Sequence, residues 1–296
     1  MIRASGKTKK ILPLLTRNPN LLFKILHSKI KVLLRPLPKG CIRKRIYGVL
    51  FEFDFDSELL LDNYEFSQPA IKSMYFDAYE PLTIEVMKRF LRTDDTFIDA
   101  GANIGFLSAV AAGLVGKNGQ VHGFEPVPQY YQRLEKLSLM NHDYTIVPNQ
   151  CALGDRRRTA NIHINCSNIG GHTMVPNYRA GETEKESFEV PVVRLDWYIK
   201  EQGLDRVSLI KIDTEGFEFP VLKGLQGYFE ETHRRPAIIC EIDPWAYPLL
   251  GYTLVQLSEY MKKYDYRAFE LTNTEYEVDV ANLATLTNVL FTSGNV

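Results

Sequence analysis

The sequence predicts an α/β fold, an open and mostly parallel sheet with helices on both faces. Three observations predict it. Residues 96–115 read as a short apolar strand, a glycine-bounded turn and a nearly all-apolar helix. Strand-like and helix-like runs then alternate to the end of the chain, the pattern of repeated βαβ units. Acidic residues stand where the strands stop, and in open α/β sheets ligands bind outside the carboxyl ends of the strands. With 296 residues and 45% apolar content, the chain can bury one large domain and carry an appendage.

Residues 1–45 read as a basic arm. Residues 1–51 hold 13 Lys and Arg and no Asp or Glu, whereas the rest of the chain holds 22 basic and 36 acidic residues. A basic arm on an acidic body points to an anionic surface or partner. A helix starts at Asn18-Pro19, with proline in the first turn. Beyond it Lys24, His27, Ser28, Lys31 and Arg35 share one face. Leu22, Ile25, Leu26, Ile30 and Leu33 cover much of the other, with Lys29 among them. Such a helix can lie on an anionic membrane, or dock on the domain or on a second subunit of a homo-oligomer. Lys24 and Lys29 interrupt the apolar run, so neither a secretory signal nor a bilayer span is expected.

A proline-rich joint, Pro36-Leu37-Pro38-Lys39, ends the arm at Gly40. Residues 46–93 are expected to pack on the core. They begin with a hairpin over 46–63, where apolar and acidic residues alternate from Phe51, and continue with an amphipathic helix over 79–92. Residues 94–296 form the main domain. Its first strand is 96–99, followed by a helix over 104–115; strand 120–124 leads to a helix over 127–140, and a third strand covers 144–148. Residues 156–193 break the rhythm and read as an inserted hairpin. A helix over 195–202 feeds the fourth strand, 207–213, and the fifth is 237–242. A helix near 254–264 and strands at 266–270 and 288–292 close the chain. The four cysteines (Cys41, Cys151, Cys166, Cys240) show no metal-ligand spacing and read as reduced thiols of a cytoplasmic protein.

The first turn suggests a nucleoside cofactor. A dinucleotide site uses G-x-G-x-x-G to hold a pyrophosphate at a helix N-terminus. Here the spacing is Gly101-x-x-x-Gly105, and Asp99 just before it would repel a pyrophosphate but suits an ammonium group. Glu125 ends the second strand, where a carboxylate can accept both hydroxyls of a ribose. This pairing favours S-adenosylmethionine, with its ribose on Glu125 and its amino-acid tail at Asp99 and the glycine turn.

The fourth strand places Asp213 beside the same crevice. Period 2 puts Lys211 on the same face. A lysine inside a central strand needs a partner, and Glu241 on the neighbouring strand is the expected one. Glu215 and Glu218 can serve the site or merely the loop and the next helical turn. Enzymes that methylate base amines carry an Asn- or Asp-Pro-Pro-aromatic motif here. Asp213-Thr-Glu-Gly216 lacks it, so DNA is not an expected partner. In the insertion, Asn168-Ile-Gly-Gly-His172 allows close backbone approach and a projecting imidazole. That imidazole reads either as a general base near neutral pH or as a solvated loop histidine.

Taken together, Phe97-Ile-Asp-Ala-Gly-Ala-Asn-Ile-Gly105, Phe124-Glu-Pro126, Ala152-Leu-Gly-Asp155, Asn168-Ile-Gly-Gly-His172, Val193-Arg-Leu-Asp196 and Ile210-Lys-Ile-Asp-Thr-Glu-Gly-Phe-Glu218 resemble the FkbM family of S-adenosylmethionine-dependent methyltransferases. The resemblance covers roughly residues 94–270 and leaves 1–75 outside. It implies a Rossmann-like class I methyltransferase fold with a seven-stranded sheet, and O-methylation of hydroxyls on sugars, glycans or polyketide-type natural products. The cofactor residues it implies are Asp99, Gly101, Asn103, Gly105, Glu125, Pro126, Cys151, Ala152 and Asp213. The proton-removing candidates are His172 and Asp213, with Glu241 behind them. No metal is expected, since no ligand spacing is present. The competing readings are an RNA or protein methyltransferase gripping a polyanion with the arm, a non-catalytic scaffold, and an NAD-dependent dehydrogenase, which the loop spacing disfavours.

Overall fold

A computed structural model describes residues 19–56, 64–165, 170–178 and 184–294. The first part of the arm, the far end of the expected hairpin, Cys166 and Asn168 lie outside the described residues.

Helix α1 (Pro19–Leu34) leads into β1 (Cys41–Ile46) and β2 (Val49–Asp54), which pair antiparallel. This hairpin lies earlier than the expected 46–63. Tyr47 and Gly48 take φ of 51° and 93° and close a two-residue turn between Ile46 and Val49. Residue 45, the expected end of the arm, therefore falls inside β1. Phe51, Phe53 and Phe55 are buried, and Phe51 meets Phe106 edge-on with centroids 5.7 Å apart. Glu52 between them is buried too. Burial would raise its carboxyl, but hydrogen bonds from Lys136, Cys41 and Arg43 hold it at about 2. Helices α2 (Tyr64–Tyr75) and α3 (Pro81–Phe90) follow, the second starting on Pro81 after Glu80 in a left-handed conformation.

The core then alternates: β3 (Thr96–Ala100), α4 (Phe106–Val115), β4 (Gln120–Phe124), α5 (Pro128–Met140) and β5 (Thr145–Asn149). Next come β6 (Ala152–Leu153), β7 (Arg158–Asn165) and β8 (Glu184–Val193), a small separate sheet in which β7 and β8 pair antiparallel. The chain resumes with α6 (Leu195–Glu201), β9 (Leu209–Ile212), α7 (Glu218–Lys223), α8 (Gln226–Thr232), β10 (Ala237–Ile242), α9 (Leu254–Lys263), β11 (Tyr266–Glu270), β12 (Asn273–Glu277) and β13 (Thr287–Ser293).

The main sheet runs in the order β12-β11-β13-β10-β9-β3-β4-β5. Strands β3, β4, β5, β9 and β10 are mutually parallel, and β13 lies antiparallel between β10 and β11. Seven strands match the expected sheet; β12 is an eighth at the edge, whose mostly polar run Asn-Thr-Glu-Tyr-Glu carries no buried-strand signal. The strand order reverses between β3 and β9, because the chain leaves β3 toward β4 and returns on its other side. Steric room opens above such a switch point. The site is there.

Candidate active site

The glycine turn ties the two strands at the switch point together. Gly101 has φ of +85°, and a Cβ there would lie 1.9 Å from the Asp213 carbonyl oxygen, so only glycine lets the ends of β3 and β9 meet. Gly105 plays another part. It has φ of +83° at the start of α4, and a Cβ would meet Leu134 Cδ1 of α5 at 2.9 Å. Its placement is a packing requirement under α5, and it is not among the residues lining the crevice.

The crevice has two halves that share Gly101, Asn103, Gly170, Asp213 and Glu215. The half over β3 and β4 is also lined by Phe124, Glu125, Pro126, Cys151 and Ala152, with Ile162, His172 and Met174 from the insertion. Glu125 is buried. Its Oε2 accepts from the Asn103 N–H and its Oε1 from the Val127 N–H, both at 2.8 Å. Burial nevertheless pushes its carboxyl up to about 7, against the pull of those two amides. A carboxylate offers about four lone-pair sites, so two remain for ribose hydroxyls. Asn103 reaches this position in a left-handed conformation (φ 51°) that its own Oδ1 supports by accepting from the Ile104 N–H.

The other half is lined by Met74, Tyr79, Asp99, Phe106 and Lys211. Asp99 is 1% exposed; Ser108 Oγ donates to its Oδ2 at 2.6 Å, while Oδ1 has no hydrogen-bond partner among the described residues. A buried acceptor left orphaned is costly, and the ammonium of an amino-acid tail would satisfy it. Orphaned Asp99 Oδ1 beside a pre-oriented Glu125 fits S-adenosylmethionine.

Lys211 is buried, and its Nζ donates to Asp213 Oδ2 at 2.8 Å. The expected partner was Glu241, and that expectation is corrected. Strand pairing sets Ile239 opposite Lys211 and puts Glu241 alongside Asp213, one step beyond the lysine. Burial alone would lower the lysine's pKa, but the carboxylates of Asp213, Glu80 and Asp99 raise it well above its ordinary value. Glu241 instead receives Asn288 Nδ2 at 3.4 Å, and burial with the neighbouring acids Asp213, Glu215 and Glu218 pushes its carboxyl up to about 10. Carboxylate oxygens of Asp213, Glu215 and Glu241 lie within 4.8 Å of one another, near enough to share one divalent cation. Glu218 sits deeper. Its Oε1 accepts from the N–H groups of Thr214 and Gly216, so it locks the loop rather than lining the crevice.

His172 belongs to the Glu125 half. Its ring stacks on Tyr130 at 5.1 Å, and the Asn165 N–H donates to Nδ1 at 3.1 Å. That bond leaves the proton of the neutral ring on Nε2, which is buried without a partner among the described residues. Burial lowers its pKa to about 4, so the ring is a neutral N–H donor.

A family model described as the methyltransferase FkbM domain matches residues 99–268, more than half of the chain. The chain belongs to the FkbM family of S-adenosylmethionine-dependent methyltransferases. Among its relatives is methyltransferase sdnD of Sordaria araneosa, 30% identical over 161 residues, a match covering 46% of this chain and 62% of that protein. The 31-O-demethyl-FK506 methyltransferase FkbM of Streptomyces tacrolimicus is 29% identical, with 46% of this chain and 61% of that protein covered. The match thus spans about three fifths of the length of these relatives. A solved structure, methyltransferase FkbM from Methylobacillus flagellatus KT, aligns with a TM-score of 0.42 at 16% identity, covering 79% of this chain and 57% of that one.

The family motifs divide by role. Val193-Arg-Leu-Asp196 is structural: the Asp196 carboxylate pairs with Arg194 and accepts from the N–H groups of Trp197 and Gly227, anchoring α6 to α8. Conversely, Met74 and Tyr79 line the crevice from outside the matched segment. No motif marks them. Their signal in the sequence is only that of a buried aromatic-rich helix end, which any core helix carries.

Proposed function

We propose that the chain transfers the methyl group of S-adenosylmethionine to a hydroxyl of a sugar, glycan or related natural product. The observation that carries this reading is the Asp213 carboxylate at the floor common to both halves of the crevice, held there by Lys211. The cofactor supplies an electrophilic methyl on a sulfonium. Glu125 and Asp99 would hold the two ends of the bound cofactor, and holding the acceptor oxygen in line with the methyl supplies much of the rate. A hydroxyl proton must leave during attack, and Asp213 Oδ1 is the acceptor we assign to it. Lys211 keeps this carboxylate in place. Neutral, Nε2–H-bearing His172 is assigned to a hydrogen bond with the cofactor, and Glu241 to supporting Asp213. The relative that acts on 31-O-demethyl-FK506 by its name agrees with a hydroxyl acceptor.

Lys211 already provides the positive charge beside Asp213, so we assign no required metal; activity lost in EDTA and restored by magnesium would overturn that part. In the cytoplasm the basic arm would bring the enzyme to acceptors on an anionic membrane surface. Labelled S-adenosylmethionine incubated with sugars, nucleotide sugars and lipid-linked glycans tests the whole reading. An alkali-stable methyl ether is expected. Label found only in RNA or protein sinks it.

A further inference from the structure

Helix α1 has two apolar faces rather than the one that spacing suggests. Leu22 and Ile25 are buried and pack with Leu21 against Leu82 of α3. Phe23, Ile30 and Leu34 point the other way and are 69%, 52% and 74% exposed, with Leu26 and Leu33 exposed beside them. At about 100° per residue, Phe23, Ile30 and Leu34 form one line along the outer side of the helix. Lys24, Lys31 and Arg35 flank that line on one side.

Exposed large side chains in one stripe, with the His27 ring stacked on Phe23 within it, mark an interaction surface. We propose that the outer face of α1 is a lipid-insertion surface, its apolar line entering the acyl boundary and Lys24, Lys31 and Arg35 meeting anionic headgroups. The charge distribution selects lipid over a second copy of this chain. A two-fold contact through this face would set the same basic residues against one another, and residues 1–51 contain no acid to pair with them. Glu52, the first acid, is already taken by Lys136 and Arg43. Among the described residues no helix is long and apolar enough to cross a membrane, so the contact is interfacial.

The docked face gives this surface a link to chemistry. Helix α1 packs on α2 and α3, and the end of α2 and the joint after it supply Met74 and Tyr79 to the Asp99 half of the crevice. The helix that meets the lipid therefore backs one wall of the crevice. This deepens the proposed function, since it rests on the reading that the arm meets an anionic surface and identifies the acceptor as one carried by a lipid.

Sedimentation of the full chain with phosphatidylcholine vesicles, with and without phosphatidylglycerol, tests it. The chain should pellet with the anionic vesicles alone. The variant Phe23→Ser/Ile30→Ser/Leu34→Ser should partition at least about tenfold less, as should Lys24→Gln/Lys31→Gln/Arg35→Gln. S-adenosylmethionine affinity should be unchanged in both, which certifies the fold. Equal sedimentation of the serine variant overturns the proposal, as does a wild-type chain left in the supernatant. A light-scattering mass that falls from dimer to monomer in the serine variant overturns it in favour of a second copy. A chain that binds vesicles but methylates no hydroxyl retains this surface and loses the catalytic reading.

Discussion

Above β3 and β4, Glu125 is held by two backbone amides and Asp99 by Ser108 of α4, which leaves Asp99 Oδ1 open for a ligand. Above β9 and β10, by contrast, Asp213, Glu215 and Glu241 crowd together with Lys211 as the nearby cation. The first arrangement holds acceptors in a fixed orientation, as binding a preformed ligand requires. The second raises the proton affinity of Glu241, because closely spaced carboxyls resist ionising together. Local backbone geometry builds the one, and juxtaposition across strands builds the other.

The sharpest way to break the comparison is at the contact between the ends of β3 and β9. Gly101→Val puts a side chain where the Asp213 carbonyl stands 1.9 Å from the added Cβ. Cofactor binding should vanish and thermal unfolding should record a loss of about 3 kcal/mol or more. Gly105→Ala, which meets the end of the Leu134 side chain, should cost only about 1–2 kcal/mol and leave binding largely intact. Similar losses of cofactor affinity in the two variants would contradict the separate roles assigned to them.

Next in size is Asp213→Asn. Single-turnover rates should fall by roughly 10²–10⁴, while calorimetric affinity for S-adenosylmethionine changes little. A loss confined to affinity would make Asp213 a cofactor-binding residue. Asp99→Ala and Glu125→Ala should do the reverse, weakening the cofactor by about 10–150-fold each, the range for one charged hydrogen bond. Unchanged calorimetric affinity in both would remove the site assignment.

The smallest expected effects are those of pH. With the Glu125 carboxyl at about 7, only its ionised form offers both remaining acceptors. Cofactor affinity should therefore rise about tenfold from pH 6 to pH 8 and lose that slope in Glu125→Gln. Stability of the free protein should move the opposite way. Glu125 and Glu218 are both raised from 4.5 to about 7 in the folded chain, which therefore binds protons more tightly than the unfolded chain. Their contribution is present below pH 4.5 and declines as pH rises through 7. A melting temperature that climbs from pH 5 to 7 would show that other groups outweigh them.

Much of this was legible in advance. Strand and helix spans over 96–148 and 237–264 agree with the sequence pattern to within a few residues, because buried strands and helices impose their periods on neighbouring side chains. Asp99, Gly101, Asn103, Glu125, Pro126, Cys151, Ala152, Asp213 and His172 were singled out, and all line the crevice. Less legible was what each one touches. The partner of Lys211 depends on strand register, the work of Gly105 on where α5 lies, and the tautomer of His172 on an amide of β7. The hairpin shift arose from a Tyr-Gly turn, which is weaker punctuation than Asn-Gly.

The sequence alone determined the α/β alternation, the family and the methyl donor, since glycine spacing and acids at strand ends are local patterns that survive without a partner. Only the tertiary structure decided which carboxyls burial pushes up, that Asp213 rather than Glu241 holds the buried lysine, and that α1 turns Phe23, Ile30 and Leu34 outward. Those outcomes depend on distances between segments far apart in the chain, and charge and burial act through distance.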